Sequence, residues 1–298
     1  MKSTIRFHAF RVLYKKREVK MSYNPRKSKP SKPSTIIKPV EPPVQPEPIV
    51  EEPEPQAEEP IVEEPIVEEP HVEEPEPQQE PVIEKKNVVV CLDNGHGSDT
   101  PGKCSPWSAC KVPPELPFRE YEYCRDIVRR LAPILEKEGF TVYIVTPEEN
   151  DIRLETRGAR INKVVAESAA KGMRVMSISI HCNAAGKGRE WKEAYGWSVW
   201  TTRGQNNSDI LAQCLYDAAQ VVLPPLGQKS RHDRSDGDDD YEDNFAMCRI
   251  PNCPAVLTEN MFQDCIKEVQ FLVTEEGRNA IVEIHRQGIL KFVEKMKW

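Results

Sequence analysis

The sequence predicts an α/β domain, with a mostly parallel central sheet flanked by helices on both faces, preceded by a disordered N-terminal region. Three observations carry this reading. Short apolar runs rich in valine and isoleucine alternate with amphipathic stretches of helical length from about residue 86 onward. Polar clusters follow the apolar runs, as at the carboxyl ends of parallel strands. The first 85 residues carry most of the 27 prolines and no run able to form a core.

The elements follow in order. Residues 87–92 form an apolar run bounded by Asp93, Asn94 and Gly95, which reads as a buried strand ending in a loop. A helix is expected over 119–139, with Ile127, Leu131, Ile134 and Leu135 on one face and Gly139 at its C-terminal end. Strand 141–145 and helix 151–170 come next, then buried strand 174–180 and strand 196–201. Helix 208–222, strand 255–257 and helices near 265–273 and 275–293 complete the domain. Strands alternating with helices of this length imply parallel pairing with both faces covered.

The N-terminal region divides into two opposed blocks of charge. Residues 1–39 form a basic arm, with 12 Lys and Arg against one Glu. Residues 40–85 form a spacer in which Glu-Glu-Pro-Ile-Val recurs at Glu58 and again at Glu63, with 16 glutamates and no basic residue before Lys85. Frequent proline forbids helix and favours an extended chain, so roughly 44 such residues reach on the order of 130 Å. The folded domain is expected over 86–298, where acidic and basic residues nearly cancel, leaving no electrostatic case for a nucleic-acid partner.

No run approaches the roughly 18 apolar residues of a membrane span, so no transmembrane segment is predicted. Arg6, His8 and Arg11 interrupt the N-terminal stretch, which therefore lacks the apolar centre of a secretory signal, and starting instead at Met21 changes nothing. Nine cysteines, several inside strand-like runs such as Cys91, read as reduced thiols rather than a disulfide framework. Cys104 with Cys110, or Cys248 with Cys253, are the pairs available in an oxidising space.

Three clusters carry the chemistry: Asp93-Asn94-Gly95-His96-Gly97, Ser179-Ile180-His181-Cys182-Asn183 and Thr258-Glu259-Asn260. Each follows an expected strand, and neighbouring parallel strands would place all three on one sheet edge. Two histidines and an acid are the donor set of a catalytic zinc, although the spacing matches no local zinc signature. Adjacent residues of an extended segment point to opposite sides, so Cys182 and His181 do not make a nucleophile–base pair, and Cys182 reads as a buried thiol. His232 in a charged loop and His285 in mid-helix read as structural or solvated. Six aspartates over 233–243 could hold calcium, but their order departs from the calcium-loop pattern and a solvated loop is the simpler reading.

In order and spacing, the first cluster, Glu120 at a helix start, the second cluster with Asn183, and 256–259 resemble the zinc-dependent N-acetylmuramoyl-L-alanine amidases of the amidase-3 type, over nearly all of 87–293. Asp99-Thr100-Pro101-Gly102-Lys103, Arg119-Glu120-Tyr121 and Asp236-Gly237-Asp238 look like the versions found in phage lysins and gut Bacteroidetes. The resemblance implies His96, Glu120 and His181 as ligands of Zn2+, Glu259 as the catalytic acid–base, and structural roles for Arg157 and Asn162. It selects Glu120 over Glu122, because Cys124 stands where the family commonly has an Asn four positions after the ligand. Asn94 replaces the family's usual proline, and Ser98 a common second glycine; both bear on loop shape.

The function so implied is hydrolysis of the amide between N-acetylmuramic acid and L-alanine in peptidoglycan, by a monomer with no small-molecule cofactor. A zinc peptidase acting within the stem peptide and a non-catalytic wall-binding module are the alternatives. The absent export signal suits an endolysin that waits in the host cytoplasm until lysis; the periplasm is the alternative.

Overall fold

The computed structural model describes residues 85–106, 118–187 and 190–298. The expected basic arm and, apart from Lys85, the spacer lie outside the described residues, as does Cys110.

Six strands form one sheet in the order β2-β1-β3-β6-β4-β5. Strand β1 is Val88–Asn94, β2 Thr141–Ile144, β3 Arg174–Asn183, β4 Ser198–Thr201, β5 Tyr241–Glu242 and β6 Ala255–Phe262. Strands β2, β1, β3 and β6 run parallel, while β4 pairs antiparallel with β6 and parallel with β5. The helices are α1 Glu120–Lys137, α2 Leu154–Ala169, α3 Asn207–Val222, α4 Ala246–Arg249, α5 Ile266–Leu272 and α6 Glu275–Met296. The expected fold class is the observed one, with one reversal at the β4–β5 edge.

Strand alternation divides the core. Val88, Val90 and Leu92 of β1, with Met176, Ile178 and Ile180 of β3, face a large cluster built on Ile127, Leu131 and Leu135 of α1, Leu211 and Leu215 of α3, and Ile281 and Phe292 of α6. Val89 and Cys91 face the other way, against Ile161 of α2 and Met247 of α4. Both faces of β1 are therefore buried, which is why its sequence is continuously apolar rather than alternating. Full burial of each such side chain contributes roughly 1.5–3 kcal/mol. Helix α1 runs through Pro133, which is exposed, so the missing N–H falls on the solvent side.

The strands run further than their apolar stretches. Strand β1 continues through Asp93 and Asn94, β3 through His181 to Asn183, and β6 through Glu259 to Phe262. The three polar clusters lie partly within the strands rather than wholly after them, because ladder pairing persists: Asn94 is opposite Ile180 and His181 opposite Glu259. Beyond that point β3 advances two residues to Asn183 while β6 advances three to Phe262. The extra residue makes a bulge, and Met261 adopts a left-handed φ of 67° within it.

A two-histidine, one-carboxylate cluster at the strand ends

Adjacent strands β1, β3 and β6 deliver His96, His181 and Glu259 to one edge of the sheet, and the start of α1 delivers Glu120. His96 follows β1 in a left-handed conformation, φ 63°. Its neighbours leave no room for side chains: a Cβ on Gly95 would lie 2.3 Å from the His181 ring, and one on Gly97 would lie 2.0 Å from the Asp151 backbone nitrogen. The His96 carbonyl accepts from Arg125 at 3.1 Å and Arg157 at 3.3 Å, fixing the loop from two helices. Asn94 accepts a hydrogen bond from the Thr146 hydroxyl, and Ser98 is exposed, so the loop accommodates both departures from the family pattern.

Glu120 is the centre of the cluster. Its Oε1 lies 3.3 Å from His96 Nε2 and 3.1 Å from His181 Nδ1, and the two imidazoles meet edge to face with centroids 4.9 Å apart. One ligand atom from each of the three residues lies within 4.8 Å of the others. The Cys182 backbone N–H donates to Glu120 Oε1 at 3.0 Å, and Gln263 Nε2 to Oε2 at 2.7 Å. Glu120 is 1% exposed, whereas the Glu122 side chain is 57% exposed beside Arg119 and Tyr121. The helical offset of about 200° between them accounts for the difference.

Proton accounting fixes the tautomer of His181. The Ser179 hydroxyl donates to Asp93 Oδ2 at 2.6 Å, so its oxygen can only accept from His181 Nε2, 3.2 Å away. Nδ1 then faces Glu120 with a lone pair. Two acceptors 3.1 Å apart need a proton or a cation between them, and buried His96 Nε2 has no hydrogen-bond partner. This donor set fits a zinc ion, with Asp93 and Ser179 orienting one ligand and Gln263 another. Arg157, 1% exposed, anchors Asp93 at 2.9 Å and Asp151 at 2.7 Å.

The protonation tendencies agree with that arrangement. Burial would raise Glu120, but the two imidazoles, His181 first, outweigh it and hold the carboxyl far below the usual range. Burial would lower His181, yet the Glu120 hydrogen bond and charge raise it; at His96 burial dominates and lowers it. Burial pushes Glu259 up to about 8, and its Oε2 has no partner. A cavity of 350 Å³ opens beside His96 and His181, walled by Ile152, Leu154 and Arg153. A larger one of 700 Å³, lined by Tyr216, Gln220 and His232, shares none of these residues.

A family model of the amidase-3 type, described as N-acetylmuramoyl-L-alanine amidase, matches residues 90–291. The chain belongs to the N-acetylmuramoyl-L-alanine amidase family. Its amidase domain is 26% identical over 209 residues to an endolysin of Bacillus phage SPP1, covering 70% of this chain and 67% of that protein. It is 24% identical to the amidase AmiC of Escherichia coli O6:H1, covering 72% of this chain and 54% of AmiC, so the chain spans only about half of that relative. The fold is similar to the crystal structure of an N-acetylmuramoyl-L-alanine amidase from Clostridium difficile 630, with TM-score 0.55, 24% identity, and coverage of 70% of this chain and 97% of that one. It also resembles AmiC2 of Nostoc punctiforme, with TM-score 0.54, 19% identity, and coverage of 71% and 99%.

The amidase domain brings together all four residues singled out in the sequence. Gln263 and the Ser179–Asp93 pair were not assigned a role there; a buried amide just past an apolar strand end is the signal that marks Gln263. The other histidines lie apart. His232 bonds the Tyr216 hydroxyl at 3.0 Å, and fully buried His285 bonds Thr258 at 2.9 Å and the Ile281 carbonyl at 2.7 Å. Asn162 accepts from the Asn252 N–H and donates to the Ile250 carbonyl, tying α2 to the segment before β6. Cys182 is buried with a thiol raised well above its usual range by burial and by Cys124, which removes it as a nucleophile. The described cysteines are all free, Cys248 and Cys253 included. Of the two tryptophans at β4, Trp197 is fully buried, with its indole N–H on Asn260 at 2.8 Å. Trp200 stacks on Tyr241 at 4.7 Å.

Proposed function

We propose that this amidase hydrolyses the bond between N-acetylmuramic acid and the L-alanine of the stem peptide, with zinc held by His96, Glu120 and His181 and with Glu259 as acid–base. The observation that carries the reading is the convergence of two imidazoles on one buried carboxylate, with a partnerless Glu259 oxygen on the adjoining strand. Zinc held there would supply Lewis acidity toward the scissile carbonyl and the attacking water. Glu259 takes the proton as the water oxygen bonds to the carbonyl carbon, and returns it to the alanine nitrogen as the C–N bond breaks. A carboxyl that burial pushes up to about 8, against the lowering pull of His181 and Lys103, holds that proton between the two transfers. Asn260, donating to the His181 carbonyl at 2.9 Å, and the Ser179–Asp93 pair keep the imidazole oriented.

One relative is named an endolysin, and we propose that this protein likewise acts in lysis, stored in the host cytoplasm, released to the wall, and working as a monomer. No helix of the described residues is long and apolar enough to cross a membrane. An N-terminally processed form outside intact cells would overturn the storage reading, and a dimeric mass by light scattering the monomeric one.

The enzymatic test is digestion of purified sacculi by the full chain, with chelator, with zinc restored, and with Glu259→Ala, followed by mass analysis. Free stem peptides beginning with L-alanine, lost on chelation and in the variant, are expected. Fragments cut within the stem would assign a zinc peptidase. Binding without any product would assign a wall-binding module.

A further inference from the structure

The aspartate-rich stretch between His232 and β5 is exposed over 234–237, as its composition implies, but turns inward at Asp238 and Asp240. Asp240 is 2% exposed and Asp238 is half-buried. With Asp209 in the first turn of α3, 5% exposed, they bring one carboxylate oxygen each to within 4.8 Å of one another.

The donors there are too few. The fully buried Thr201 hydroxyl donates to Asp240 Oδ2 and also lies 3.2 Å from Asp209 Oδ1, but it has one proton to give. Asp240 Oδ1 and Asp238 Oδ1 are buried with no hydrogen-bond partner. The other oxygens are committed: Asp238 Oδ2 to Gln205 at 2.7 Å, and Asp209 Oδ2 to the Asn206 N–H in the helix capping box. Arg234 pairs with Asp239 instead, and among the described residues no Lys or Arg forms an ion pair with these three. Several buried acceptors facing one another with one donor among them call for a positive charge.

We propose that Asp209, Asp238 and Asp240, with the Thr201 hydroxyl, form a second cation site that takes calcium. The donors are all hard oxygens, unlike the imidazole-containing zinc cluster. Oxygens bound to one calcium at 2.3–2.6 Å can be no more than about 5 Å apart, and these atoms meet that limit. The ligands come from the end of β4, the start of α3 and the approach to β5, so the ion would pin the reversed edge of the sheet to a helix. Its rival is a proton shared by Asp238 and Asp240: burial and the Asp238 carboxylate push Asp240 up to about 8 with nothing bound. The inference is independent of the amidase chemistry.

The test is calorimetric titration of calcium chloride alone into the full chain, stripped with EDTA and desalted, with thermal unfolding followed in parallel. One calcium per chain is expected, and a Tm rise of about 5–10 °C at a hundredfold excess over Kd. Asp240→Asn should abolish the calcium-dependent rise. The partly exposed Asp238→Asn should weaken binding at least about tenfold while keeping its far-UV circular dichroism, and it carries the comparison if the buried variant does not fold. A wild-type chain with neither heat nor Tm change up to about 10 mM calcium would overturn the proposal in favour of the shared proton. An unchanged response in both variants would overturn it by placing the ion elsewhere.

Discussion

Ser179→Ala isolates the orienting role of the residues behind the metal cluster. The substitution removes the acceptor of His181 Nε2–H and one of the donors to Asp93, while Arg157 still holds Asp93 at 2.9 Å. Loss of such an outer partner costs about 10–100-fold in metal affinity, equivalent to about 1.4–2.7 kcal/mol. Two effects must be separated. Leaving Asp93 Oδ2 short of a donor destabilises the metal-free fold by about 1–3 kcal/mol, whereas freeing the His181 ring lowers zinc affinity specifically. Zinc binding is measured by competition against a chromophoric chelator, and metal-free stability by urea unfolding. Proton-coupled nitrogen NMR of the metal-free imidazole reports whether Nε2–H is held on Ser179, expected as slow exchange of that proton in wild type and fast exchange in the variant, with the Nδ1 proton shared with Glu120 in both. Zinc affinity within twofold of wild type, with Nε2–H exchange unchanged, would refute the assignment of Ser179 as the group that orients His181.

The remaining expectations concern the cluster and the core behind it. Glu120→Gln should abolish zinc-dependent hydrolysis while Glu122→Gln retains it, since Glu122 is exposed; equal losses in dye-labelled sacculus assays would contradict the choice between them. Gly95→Ala places a methyl 2.3 Å from the His181 ring, and a displacement near 1 Å at the cluster should cost about 100-fold in kcat/KM with circular dichroism unchanged. Burial holds His285 down to about 4, against an ordinary value of 6.5. Below pH 6.5 the unfolded chain takes up a proton that the folded chain refuses, so this contribution is fully present above 6.5 and is lost as pH falls through 4. Wild type should therefore lose about 3 kcal/mol more than His285→Gln between pH 7 and pH 4 in urea unfolding, and parallel curves would count against it.

The sequence makes the centre of this protein readable and its margin obscure. Strands β1 and β3 are buried on both faces, so burial writes β1 as an unbroken apolar run and β3 as one interrupted only by the small Ser177 and Ser179, and the clusters at their ends fall together once parallel pairing is assumed. The strands' true length is less visible, because Asp93, His181 and Glu259 remain in the ladder through backbone bonds that do not depend on side-chain type. Glu120 is legible only through the family resemblance: nothing about a glutamate in the first turn of a helix distinguishes a buried ligand from a solvated Glu122. The reversal at β4 and the two-residue β5 have no compositional signal, since a short strand reads alike in either direction. Asp240 misleads most, because a run of aspartates looks hydrated until tertiary packing closes over it.

The hydrogen bond from Thr258 to His285 has a temporal side. Glu259 sits beside Thr258 on β6, but the partner that holds Thr258 belongs to α6, the last helix, which also packs against α1 and α3. A nascent chain whose α6 has not yet emerged from the ribosome has every candidate ligand translated and no back wall to set them against. Wall-cutting capacity would therefore depend on α6 being made and docked, and a nascent chain still lacking it would be harmless to the cell that makes it.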